Sequence, residues 1–255
     1  MIPKELFDRY ATAVDVNADM ARRAVMQLEK ALSGLSGRAM REELSRQYAA
    51  IVREFGGYVA ACAVELYAEV RAGASLGTRY DPIQCEPDDS ALLSADVKQA
   101  VKRSPDLQAA LASLSGSAVQ RSMAYADETL IQNAVRDPAK PRYALVPHAG
   151  ACGFCVMLAS NGFVYASEAS ANRSRHPSCR CRPVVDFKDY GVAGVSQEAY
   201  AAEYEAARDA VKPTAWEEWS AMTAAEKARY GSKKRGAYDH YLRNRIASEM
   251  DKRRK

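Results

Sequence analysis

Four of the six cysteines and two of the three histidines fall between residues 148 and 181. They run as His148-Ala-Gly-Ala-Cys152-Gly-Phe-Cys155, then twenty residues, then His176-Pro-Ser-Cys179-Arg-Cys181. Zinc takes four nitrogen or sulfur ligands in a tetrahedron, and structural sites draw them as two close pairs with a spacer between. Cys152/Cys155 is one such pair and His176/Cys179 another, with Cys181 a fifth candidate and His148 a sixth. The expected site is one zinc per chain, held by Cys152, Cys155, His176 and either Cys179 or Cys181. It would staple a small subdomain across residues 156–175.

Three rival readings stand beside this one. The cysteines can be reduced packing residues. Cys152 and Cys155 can be a thioredoxin-like redox pair, since CGFCVMLAS follows the strand-like RYALVP. A cysteine with a histidine can be a hydrolase dyad, although no orienting third group stands out. Arg173, Arg175, Arg180 and Arg182 interleave with His176, Cys179 and Cys181, and read either as a phosphate-binding knuckle or as plain surface charge. Cys62 falls on an apolar helical stripe and reads as a buried small hydrophobe. Cys85 falls in a loop with no evident partner, and His240 among polar residues facing solvent. There is no Walker A loop, dinucleotide-binding glycine fingerprint, HExxH, GxSxG or paired-carboxylate signature, which favours a non-enzyme.

The second chemical signal is charge. The chain has 255 residues and a net charge of +4. Residues 233–255 hold nine Lys/Arg against three acids, leaving the other 232 residues at −2. A basic tail of this kind suits an anionic partner, and Lys233, Lys234, Arg235, Lys252, Arg253, Arg254 and Lys255 are its candidate nucleic-acid contacts. A solvated helix with a frayed basic end is the competing reading. The longest apolar run, Tyr58–Val64, is far too short to span a membrane. MIPKELFDRY has no apolar signal-peptide region, so a soluble protein made in a cytosol is expected. A 48% hydrophobic, 27% charged composition excludes intrinsic disorder.

These residues need a frame. Leu6, Tyr10, Val14, Ala21, Val25, Leu28 and Leu32 recur at helical spacing, and so do Tyr48, Ile51, Val52, Phe55, Val59, Cys62, Leu66 and Val70. Two long helices over 5–72 follow, broken at Gly34 and Gly37 and folded into a hairpin. A connector over 73–90 leads to a helix over 90–103. Ser104-Pro105 then suggests an N-cap and first helical position for a helix running to about Arg136. Strands are expected at Arg142–Pro147 and Arg182–Phe187, the latter pushed to an edge by Pro183, and Asn161–Tyr165 reads as a turn leading into another short strand. Beyond 195 the chain is helical again. One stripe (Tyr200, Tyr204, Ala207, Val211) ends at Pro213, Thr223 and Glu226 have capping-box spacing, and a last helix carries Tyr238, Leu242 and Ile246. The fold class is therefore mainly α with a small α+β Cys/His core. Three regions result: a helical 1–139, a Cys/His core 140–190, and a helical 191–255 with the basic tail.

The stretch CGFCVMLASNGFVYASEASANRSRHPSCRCRPVVDF resembles the core of the phage Mu F-like family of minor head proteins. Cys152, Cys155, Gly162, His176, Cys179 and Cys181 occupy the places of that family's pattern, over about 40 of the 255 residues. The resemblance implies a non-enzymatic minor capsid (head morphogenesis) protein of a tailed phage. Its partners would be the portal, other capsid or scaffold proteins, and packaged double-stranded DNA bound without sequence preference, with no membrane partner. Its place would be the capsid interior at the portal vertex, after assembly in the host cytoplasm. Some relatives carry enzymatic domains after this core, but the roughly 65 residues beyond 190 are too few for one. The alternative is a zinc-dependent nuclease or DNA-processing enzyme, with His148 as base and Glu168 and Asp186 as the nearest acids.

Overall fold

The structure, a computed structural model, describes residues 1–164, 180–188, 190–231 and 234–254. Among these the chain is mainly α, with eight helices and one two-stranded sheet. α1 (Lys4–Leu32) buries Leu6, Tyr10, Val14, Ala18, Ala21, Val25, Leu28 and Leu32, a single stripe at steps of three and four. Gly34 and Gly37 then adopt φ of +87° and +57°, which glycine takes without steric cost. α2 (Gly37–Gly73) runs back for 37 residues, about 56 Å at 1.5 Å per residue.

α3 (Ser90–Arg103) and α4 (Leu107–Arg136) complete a bundle with this hairpin. Asp106, not Ser104, caps α4 by accepting from the Ala109 N–H at 2.8 Å. Ser104 instead closes α3, where its N–H donates to the Ala100 carbonyl at 3.0 Å. α4 is buried on nearly every face, including polar Ser122, Thr129 and Asn133. A buried polar group needs a partner, and the connector supplies several. Asn133 accepts from the Ile83 N–H and donates to the Ile83 carbonyl at 2.9 and 2.7 Å. Thr129 accepts from the Cys85 N–H at 3.1 Å and donates to the Cys85 carbonyl at 3.2 Å. Cys85 lies in a loop, as expected, but one docked on α4, and is 8% exposed.

At the end of α4, buried Asp137 accepts from Arg71 Nε at 2.7 Å, the Tyr67 hydroxyl at 3.2 Å and the Ala139 N–H at 2.8 Å. β1 (Arg142–Val146) follows and pairs antiparallel with β2 (Arg182–Asp186), Leu145 opposite Pro183. A two-stranded ladder is all edge, which is where a strand proline is tolerated. The turn expected at Asn161-Gly162 forms, but the short strand expected after it does not form over 163–164, and Tyr165 lies outside the described residues. Gly162 (φ +68°) instead ends α5 (Gly153–Ala159), its N–H donating to the Ala159 carbonyl at 3.0 Å. The amino terminus joins this core as Ile2 bridges Val192.

α6 (Gln197–Ala221), α7 (Ala224–Ala228) and α8 (Lys234–Arg253) form the C-terminal helices. α6 does not stop at Pro213. Ala207, Val211, Ala215 and Trp219 make one buried row through it, so packing outweighs the lost backbone bond. The capping box of Thr223 and Glu226 is formed. Trp219, Tyr230, Tyr238 and Tyr241 stack edge-on where α6 and α8 meet.

Two measurements test this packing. A Cβ on Gly56 would sit 2.6 Å from the Tyr125 ring, whose hydroxyl is tied to Asp89 at 3.1 Å. At Gly57 nothing lies within 4 Å. Gly56→Ala is expected to lose about 1–3 kcal/mol, and Gly57→Ala to be neutral or stabilising by up to about 1 kcal/mol, both read from thermal melts by circular dichroism.

The second concerns Asp137. Burial pushes its carboxyl up, but the bonds from Arg71, Ala139 and Tyr67 outweigh this and hold it below the ordinary value of 3.8. Such a group stabilises the fold fully above its unfolded pKa, and the benefit fades as pH falls through the folded one. Asp137→Asn is expected to be about 2 kcal/mol less stable at pH 7. Its deficit against wild type should shrink below pH of about 4, measured by urea unfolding.

Candidate functional site

The chain turns from bundle to sheet at Asp137, and the cysteine motif sits just beyond. β1 ends at Val146, His148 and Gly150 make a turn, and Cys152 precedes the first residue of α5. One helical turn on, Cys155 points inward and is 1% exposed. β2 brings Cys181, also 1% exposed, against it, with Leu145, Ala151 and half-buried Cys152 around the pair. The His148 N–H lies 3.5 Å from Cys181 Sγ. The His148 imidazole is turned the other way, its Nδ1 accepting from the Gly150 N–H at 3.2 Å.

Three of the five expected ligands therefore converge, and the other two, His176 and Cys179, lie outside the described residues. The zinc expectation is nonetheless corrected. Among the described residues no group of three or more His, Cys, Asp or Glu side chains is placed to hold a metal ion. Cys155 and Cys181 pack with Leu145 and Ala151 as small apolar side chains do, and the exposed His148 ring serves its own turn. The zinc-dependent nuclease reading loses its metal with the same finding.

What holds this place together is the residue between the cysteines. A Cβ on Gly153 would fall on the Ala247 carbonyl oxygen and 2.8 Å from Met250 Cβ. Only glycine lets α5 touch the α8 backbone. Asp251 Oδ1 accepts from the Gly153 N–H at 2.6 Å, satisfying one of the backbone donors that α5 leaves open at its first turn. Val156 and Met157 then pack among Ala207, Val211, Ile246 and Met250 of the C-terminal helices.

The arginines beside Cys181 face the bundle. Arg180 pairs with both Asp15 and Asp19 of α1 at 3.0 Å. Arg182, 2% exposed, pairs with Asp15 and reaches Met123 Sδ at 3.6 Å. These two side chains clamp β2 to α1 and are neither surface charge nor a phosphate grip. Arg173 and Arg175 lie outside the described residues.

In the basic tail, Lys252 and Arg253 pair with Glu249, and Arg254 with Glu203 at 3.0 Å. Lys233 and Lys255 lie outside the described residues, as do the side chains of Lys234 and Arg235. Exposed His240 has Nδ1 3.1 Å from the Tyr230 carbonyl. Tyr241 donates to Glu218 at 2.6 Å, and burial with that carboxylate beside it pushes the phenol up to about 12.

The bundle, the sheet, the thiol cluster and the start of α6 are also the part of the chain with kin. The VG15 protein family pattern matches residues 1–207. The chain belongs to the VG15 family. VG15 proteins are phage-encoded, so this is a phage protein. The VG15 match ends inside α6, leaving α7, α8 and the Asp251 contact with Gly153 beyond it. No curated protein and no solved structure matches the chain. Among the described residues no helix is long and apolar enough to cross a membrane.

Sequence reading missed Gly153, Asp251 and the partners of Arg180 and Arg182. A lone glycine at a helix start has no periodicity, and an ion pair spanning 165 residues leaves no local trace. Gly153→Ala is expected to detach α8 while sparing α1–α4. The check is hydrogen exchange: protection should fall across 237–253 and over α5, and stay unchanged in α2 and α4. Loss of protection everywhere would mean that the contact supports the whole fold.

Proposed function

We propose that this VG15 protein is a non-enzymatic minor capsid protein of the Mu F-like kind, acting in head morphogenesis. It docks on the portal inside the head, beside capsid or scaffold proteins, and contacts packaged DNA. One observation supports the reading above others: Cys152, Cys155 and Cys181, the described cysteines of the Mu F-like pattern, meet at one place between a long helical bundle and a C-terminal helical layer.

The rest of the architecture supports a scaffold more than a catalyst. A small cavity lined by Leu6, Arg9, Tyr10, Cys62, Glu65 and Leu66 holds about 30 Å³, room for one water. α1 and α2 offer more than 40 Å of helix along which a ring of portal subunits can pack. The polar outer face of this hairpin, with scattered Val16, Met20 and Tyr58 exposed, suits a partner that is joined during assembly and not folded with it.

The test is co-sedimentation of the purified chain with the portal protein encoded by the same phage, as isolated subunits and as assembled rings. Association with either form is the expected result. No association with both, at concentrations up to tens of micromolar, overturns the portal role.

A further inference from the structure

The bundle is charged at opposite ends with opposite sign. Residues 22–46 and 98–106 hold nine basic and four acidic side chains, net +5. Residues 1–15, 54–71 and 127–137, which lie toward the sheet, hold four basic and nine acidic, net −5.

The positive segments share one end of the fold. α3 lies antiparallel to α2, because Arg53 donates to Ser90 at 3.0 Å and Tyr48 to Asp96 at 3.2 Å. Continuing that alignment, the end of α3 comes alongside the start of α2, where Met40, Val101 and Leu107 pack on the same core. The turn from α1 to α2 and the turn from α3 to α4 are therefore neighbours. Arg38 and Arg46 there are engaged by Glu42 and Glu43. Arg23, Lys30, Arg41, Lys98, Lys102 and Arg103 are all exposed, and none has an acidic partner among the described residues. Three of them complement a helix C-terminal dipole, Lys30 that of α1 and Lys102 and Arg103 that of α3, but Arg23, Arg41 and Lys98 are not accounted for in that way.

We propose that this end of the bundle binds the phosphate backbone of double-stranded nucleic acid. Unpaired Lys and Arg side chains on a rigid convex end displace condensed counterions from a duplex, the dominant source of sequence-independent affinity. The acidic opposite end turns the basic end toward any polyanion. A protein partner fits less well, because a protein interface needs an aromatic or apolar centre. Here Met26 and Leu35 are the large apolar side chains exposed, and no aromatic one is. The site is separate from the basic tail, three of whose cations already pair within the chain. It stands on charge placement and does not rest on the portal reading.

The experiment uses the full chain and a fluorescent 30-base-pair duplex of arbitrary sequence, followed by anisotropy from 50 to 200 mM salt. Wild type is expected to bind with a steep salt dependence, affinity falling with a log–log slope of about −5 for some six phosphates. Arg41→Gln, Lys98→Gln, Lys102→Gln and Arg103→Gln together should raise Kd at least tenfold at 100 mM salt. They should also flatten the slope by about 3. Lys252→Gln, Arg253→Gln and Arg254→Gln together should change Kd less than threefold.

Thermal melts of both variants should stay close to wild type, since the bundle side chains have no acidic partner and lose only the α3 dipole interaction of Lys102 and Arg103, and the tail loses only exposed pairs worth at most about 1 kcal/mol each. If the quadruple variant melts lower, Lys98→Gln with Lys102→Gln carries the test instead, with about half the effect. No duplex binding by wild type overturns the proposal. So does a bundle-end variant that binds like wild type, or loss confined to the tail variant. Displacement of the duplex by equimolar polyglutamate would also overturn it, in favour of an acidic protein partner. Loss of portal association with duplex binding intact would fail the head role alone.

Discussion

α4 is a helix with almost no outside, and most of the architecture answers to that. Leu111, Leu114, Leu130 and Ile131 can be buried by any apolar neighbour, but Thr129, Asn133 and the Asp137 that closes the helix cannot. Each leaves a polar group in a place water does not reach, at a cost of about 1–3 kcal/mol if unpaired. The connector over 80–85 is held where it is because its backbone supplies Asn133 and Thr129 with partners. α2 is held in register because Tyr67 and Arg71 must meet Asp137. What looks like a loose Pro/Gly-punctuated linker is thus a strap, and its tightness follows from the polarity of the helix beneath it.

The long helices were legible in the sequence because burial on one face leaves a periodic trace. The α1 stripe reads off directly, and Gly34 and Gly37 mark the turn. Where the decisive contact was distant or a local signal competed with packing, the trace failed. Pro213 signals a helix end by local rules, yet the Ala207–Val211–Ala215–Trp219 row packs across it, and that sum exceeds one lost hydrogen bond. Gly-Phe-Val-Tyr has strand propensity, but Gly162 in a left-handed conformation finishes α5 first. Ser104-Pro105 imitates a cap, while Asp106 two residues on is the side chain that reaches the open N–H.

The cysteine motif shows the same division between what is local and what is not. Cys155 and Cys181 pack together with half-buried Cys152 beside them. The chemistry inferred from their spacing was zinc, and it does not follow, because ligand spacing constrains which side chains can meet and not what they meet for. A pair of fully buried thiols beside Leu145 and Ala151 contributes packing, and the glycine between the first two cysteines matters as much as they do. With the Arg180 and Arg182 clamp on Asp15 and Asp19, Gly153 makes this small core a hub: β2 is fastened to α1 on one side and α5 to α8 on the other. Neither fastening is visible in a cysteine pattern.

A hub of this kind leaves the bundle projecting from the core with its far end unencumbered, and it is there that the unpaired cations collect. The arrangement separates the two signs of charge physically. The end near the sheet is acidic and spends part of its charge in internal pairs, Asp137 with Arg71, Asp15 with Arg180 and Arg182, Glu69 with Arg9. The far end keeps its cations exposed at the tip of helices about 45–55 Å long. A lever that length places the basic end well away from the sheet and the C-terminal helices, so a polyanion bound there would not crowd the core. Charge left unpaired on a rigid element costs little stability in water, since exposed pairs are worth at most about 1 kcal/mol, so folding alone does not require the segregation. Its physical consequence is an orienting field along the bundle axis, which acts only when a charged partner is within a Debye length, about 8 Å at physiological salt. A contact made at the tip would therefore be short-range and salt-sensitive, whereas the internal apolar and buried ionic contacts near the sheet are barely touched by salt.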